Sequence, residues 1–223
     1  VESKTVGELG LRFWFPWFTG LLSLSVGLGI WLYSPQRHAA ACYLLASLGY
    51  AFIMLMMAPS GSRLLTQPPW IWQGLHMSSH VAAFIFNGAL AILLWSHPSR
   101  MGGPVFARLL WLWSLAWLAI DFMELVPTIS IGFRLPTALF GVLFIALFVL
   151  QWRTARGDPV KRAQLKWLIL LFMAGLSVVF LAYIYGASGA VITAPQVYGL
   201  AWISLLFLGL VPMVTRLGLF QLE

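Results

Sequence analysis

Residues 135–152 read LPTALFGVLFIALFVLQW, and residues 153–167 read RTARGDPVKRAQLKW. The first stretch carries no charge over 18 positions, close to the length that crosses the hydrocarbon of a bilayer as a helix. The second gathers Arg153, Arg156, Lys161, Arg162 and Lys166 around a single carboxylate, Asp158. An apolar run closed by a basic elbow is the signature of a helix that crosses a membrane and is held at one face. The same alternation repeats along the chain. Apolar runs at 13–33, 39–58, 70–95, 105–126, 135–152, 165–186 and 196–219 predict an all-α, polytopic bundle of seven transmembrane helices. Prolines 35, 59, 68, 69, 98, 104, 127, 159 and 195 fall at the joints, where a missing amide donor costs least. Pro16 and Pro212 lie inside runs, near their ends.

Composition excludes the soluble alternatives. Hydrophobic residues make up 61% of the 223 positions and charged residues 9%. A soluble domain has about 45–50% and about 25%. The chain is therefore not a soluble enzyme, a disordered tail or a nucleic-acid-binding domain. Its net charge of +7 has a topological reading instead. The runs lack the short alternation of a β-barrel. A lone cysteine, Cys42, leaves no internal disulfide or thiolate cluster to consider. The first residue is Val1, and no signal peptide is evident. We expect a piece of a longer protein, with 1–12 an extracytoplasmic lead-in, 13–220 the membrane domain and 221–223 the start of a connection to a cytoplasmic domain.

Basic residues orient the bundle. With the N-terminus outside, the inner side holds nine: Arg37, Arg100, Arg108, Arg153, Arg156, Lys161, Arg162, Lys166 and Arg216. The outer side holds four: Lys4, Arg12, Arg63 and Arg134. That asymmetry predicts N-outside, C-inside. Trp14, Trp17, Trp70 and Trp72 then mark outer helix ends, and Trp31, Trp95, Trp152 and Trp167 inner ones, as interfacial belts require. Thr19, Ser23 and Gly27 form a small-residue stripe on the first run, suited to close packing of another helix.

Ionisable groups inside spans are costly and mark function or polar packing. Gln73, His76, His80 and Asn87 share one face of the third run, within about 60° at helical periodicity. Ser114, Trp117, Asp121, Glu124 and Thr128 form a stripe on the fourth. Antiparallel runs bring the histidines to the depth of the carboxylates. Three readings follow: a polar seam that holds the bundle, a ligand- or proton-sensing pocket open to the outside, and a metal site. In the last, His76, His80, Asp121 and Glu124 would ligate zinc. His76 and His80 enclose Met77, Ser78 and Ser79, so the glutamate base of an HExxH hydrolase is missing. His38 and His97 fall in inner loops, away from the pair. No P-loop, dinucleotide turn or nucleophile elbow occurs. Repeated halves, expected of a transporter, are not found.

In the elbow, Asp158 and Pro159 suit the N-cap and first position of a helix. Lys161, Arg162 and Lys166 would face headgroups, with Trp167 anchoring at the interface. The same loop, with Asp158, Pro159, Arg162, Gln164 and Trp167, resembles a recurring loop of bacterial sensor histidine kinases. The resembling group has a multi-span membrane sensor of the competence and quorum-sensing type. Residues 31–48, WLYSPQRHAAACYLLASL, are similar to its short inner hairpin. Residues 212–223, PMVTRLGLFQLE, look like its exit from the last helix, with Gln221 and Glu223 in place of that group's usual acids.

The resemblance implies a signal-sensing module of a two-component receptor. Its signal would be a small molecule or peptide, outside or in the bilayer, passed down the last span through Arg216 to Glu223. It also implies a homodimeric full-length receptor, a cytoplasmic kinase domain that follows this chain, and a response regulator as partner. The chain itself carries no kinase motifs and expects no cofactor and no nucleic acid. The alternative is a membrane-embedded, zinc-dependent hydrolase.

Overall fold

In the computed structural model, apolar runs become helices wherever their length permits and their prolines allow. The structure describes residues 10–34, 37–62, 68–125, 130–187, 203–204, 207–209 and 211. Among these the order is α1 (Leu11–Tyr33), α2 (Arg37–Ser62), α3 (Pro69–Ser96), α4 (Val105–Phe122), α5 (Leu135–Thr154) and α6 (Pro159–Ala187). A π-helical turn, Ser130–Arg134, precedes α5, and a 3₁₀ turn, Ala155–Gly157, follows it. No strand occurs among the described residues. Among the described residues, five helical stretches are long and apolar enough to cross a membrane: Phe13–Tyr33, His38–Pro59, Trp70–Ser96, Val105–Phe122 and Gly132–Gly157. The described chain is thus all-helical, with helices that suit a bilayer. The sixth run lies within α6. Most of the seventh, with Pro212, Arg216 and Glu223, lies outside the described residues.

Two boundaries differ from the sequence reading. The α2 helix runs through Pro59 to Ser62 instead of ending before it. Proline near a helix end removes one hydrogen bond and little else. The α4 helix stops at Phe122, short of 126. There Glu124 adopts φ 52, the Glu124 amide donates to the Asp121 carbonyl, and the Leu125 amide donates to the Ile120 carbonyl. These are the paired bonds of a Schellman cap, a position that usually takes glycine.

Packing is tightest among α1, α2 and α3. The Thr19–Ser23–Gly27 stripe is buried against α2, so it serves packing within the chain. Thr19 and Ser23 donate their hydroxyls back to Phe15, Pro16 and Thr19 carbonyls of their own helix. Gly49 of α2 lies against the α3 backbone: a Cβ there would sit 2.8 Å from the Ala82 oxygen and the Phe86 nitrogen. The core includes Tyr43, Tyr50, Met54, Leu90, Leu94, Phe140, Leu147, Leu165 and Phe207. Phe207 is fully buried, lies with its ring tilted against those of Tyr43, Tyr50 and Phe86, and accepts a 2.9 Å hydrogen bond from the Tyr43 hydroxyl on its carbonyl. The described part of the seventh apolar run therefore packs inside the bundle. By contrast α4 buries only Leu110 and Ser114.

Candidate functional site

The polar stripes of α3 and α4 meet where those helices approach the end of the bundle at which α3 begins. His80 is buried, and its Nδ1 lies 2.6 Å from Asp121 Oδ2. The antiparallel register read from the sequence places these two residues together. The His80 ring is stacked on Phe133, with centroids 4.2 Å apart and planes 13° from parallel. His76, one turn earlier and exposed, has its ring centroid 4.3 Å from that of His80. Trp117 donates its indole N–H to the Gly132 carbonyl at 2.8 Å, which ties α4 to the turn that carries Phe133. Three elements therefore build the site. The α3 helix supplies the imidazoles, α4 the carboxylate and the indole, and the π-helical turn the lid over His80.

The other residues of the stripes do different things. Asn87 is buried, and its amide donates to the Ala83 carbonyl of its own helix. Ser114 is buried and donates to Leu110. Gln73 and Glu124 are exposed. Glu124 belongs to the turn beyond α4, and its left-handed backbone takes its side chain off the helical stripe that carries Asp121. Thr128 lies outside the described residues. Among the described residues, no three His, Cys, Asp or Glu side chains gather in a metal-binding arrangement. Ser78 and Ser79 donate to the Gly74 and His76 carbonyls, so neither hydroxyl is held by an imidazole as a nucleophile would be.

The arrangement is suited to presenting an oriented imidazole. A carboxylate against Nδ1 orients the ring and leaves Nε2 for a further partner. Phe133 and Gly132 were not evident from sequence. They lie in a short polar interruption between runs, where hydropathy periodicity carries no signal.

At the opposite end, Asp158 and Pro159 stand at the start of α6. Asp158 Oδ1 accepts the Val160 and Lys161 amides at 2.9 and 3.1 Å, capping α6, which begins at Pro159. These amides, Lys161's foremost, hold the Asp158 carboxyl below its ordinary range. Lys161 Nζ lies 3.7 Å from Asp158 Oδ2, and the Arg162 guanidinium sits 5.6 Å above the Trp152 ring. Gln164 is fully buried and Trp167 is 51% exposed.

Gln151, which the sequence did not mark, staples this end. Its side-chain amide donates to the Leu94 and Ser99 carbonyls, each at 2.7 Å, and its oxygen accepts the Ser99 amide at 3.2 Å. The loop after α3 and the elbow after α5 therefore share one end of the bundle, away from His80 and Asp121. No protein-family model matches the chain, and no curated protein or solved structure matches it.

Proposed function

We propose that this chain is the membrane sensor module of a bacterial two-component receptor kinase. In this reading it has seven spans, its N-terminus outside and its basic elbow in the cytoplasm. The observation that carries the reading is the part-buried His80–Asp121 bond between α3 and α4, with exposed His76 beside it. Few of α4's residues are fully buried, and this polar bond ties it to α3 beside the packing of Phe106, Trp111 and Trp113. A signal that binds the histidines, or a proton, would favour one α3–α4 arrangement over another, and differential affinity of that kind is what a sensor requires. Output would leave through the last apolar run, which Tyr43 grips at Phe207, into a kinase domain beyond Glu223. The resemblance of the elbow to sensor kinases supplies the class, a homodimeric receptor and a response regulator as partner.

The test uses the full-length receptor in proteoliposomes, with autophosphorylation as the readout. His80→Asn keeps a donor where Nδ1 stands and removes the rest of the imidazole. Expected is a folded receptor whose activity no longer responds to added signal. A variant that responds like wild type makes the seam structural only. A complete gene product with no kinase domain overturns the class.

A further inference from the structure

The basic elbow does not present its five cations alike. Lys161 is drawn to Asp158 and Arg162 is laid over Trp152. Arg153, Arg156 and Lys166 are exposed, and none of them pairs with a carboxylate among the described residues. Asp158 is the only described carboxylate in this elbow, and both of its oxygens are already engaged. Trp152 closes α5 and Trp167 opens the apolar part of α6, exposed beside Lys166. Indoles at this position sit at the headgroup level of a bilayer. Three unpaired cations are thus held at headgroup depth by a bend that Asp158 capping fixes. We infer that Arg153, Arg156 and Lys166 form an interfacial site for the phosphodiester of an anionic phospholipid. This differs from the sequence expectation, in which Lys161 and Arg162 shared that role. Juxtamembrane cations attract anionic lipid with an effect of about fivefold per residue.

The experiment is native mass spectrometry of the purified chain in mild detergent, titrated with phosphatidylglycerol or phosphatidylcholine. Wild type is expected to retain phosphatidylglycerol in preference. Arg156→Gln with Lys166→Gln should lower that preference about twentyfold, and Arg153→Gln alone about fivefold. The control, Arg100→Gln with Arg108→Gln, removes the same charge from the same end of the bundle but outside the elbow, and should lower the preference clearly less than the elbow double variant does. Equal losses in the two double variants would mean general charge attraction and overturn the site, as would a wild type with no preference. Added inorganic phosphate should leave the lipid bound. Release by millimolar phosphate would show a free-anion site and overturn the lipid assignment. Arg153→Gln stands on a different helix from the double variant's residues, so it reads the site if the double variant fails to fold.

Discussion

A histidine and an aspartate at 2.6 Å, with side chains 6% and 12% exposed, each depend on the other. Removing one partner of a buried pair leaves the other desolvated and costs about 3–5 kcal/mol, whereas removing both costs less. His80→Ala should therefore lower the unfolding free energy in detergent by about that amount, and His80→Ala with Asp121→Ala by less than the sum of the single changes. Additive losses would mean that the pair is not coupled.

His97, at the other end of α3, makes the opposite use of burial. Burial first, then the neighbouring His38, pulls its imidazole from 6.5 down to about 4. The unfolded chain takes up this proton below 6.5 and the folded chain only near 4. Stability should therefore be full above 6.5, fall as the pH drops through that window, and level off below it. His97→Asn should flatten this part of the profile, read as the unfolding midpoint against pH. An unchanged slope would assign the loss to other groups.

At the scale of the elements, caps and staples decide where helices stop. Glu124 holds a left-handed φ of 52 at a Schellman position, where a residue with a Cβ is strained by about 1–3 kcal/mol. Glu124→Gly should raise stability by about 1 kcal/mol, measured by chemical unfolding in detergent. A loss would mean that the glutamate side chain contributes more than its backbone strain. Gln151 does the reverse by joining α5 to the α3–α4 loop. Gln151→Leu should cost about 1–3 kcal/mol per buried group left unmade, and should speed amide exchange at Ser99. Protection of Ser99 that survives the change would show the staple to be unimportant.

These two residues also show what the sequence can convey. The runs, their order and the meeting of His80 with Asp121 follow from periodicity and antiparallel geometry, which are written in residue spacing. The end of α4 does not, because a left-handed glutamate leaves no mark in hydropathy. Nor do Gln151 and Phe133, whose partners lie on other elements. Gln151 read as one polar residue near the end of an apolar run, and Phe133 as one more aromatic.

At the scale of the whole molecule, the two polar centres occupy opposite ends of the bundle. His80 and Asp121 lie at one end, and the elbow with Arg153, Arg156 and Lys166 lies at the other. Arg100 and Arg108 join the second end through the Gln151–Ser99 bonds, which concentrates positive charge there. In the proposed reading positive charge stays on the cytoplasmic side, which would turn this end inward and the histidine seam outward. Cysteine labelling checks the orientation, and the structure chooses the sites. Ala155, in the elbow, is fully buried and a poor probe. Gly157 and Gly10 are exposed, with nothing within 4 Å of an added Cβ, and they stand near the inner and outer ends on this reading. With Cys42 replaced by serine, Gly10→Cys should react with an impermeant maleimide added to intact cells, and Gly157→Cys only after the membrane is opened. Reaction of Gly157→Cys from outside would invert the bundle. It would put the histidine seam in the cytoplasm, where a signal from outside could not reach it.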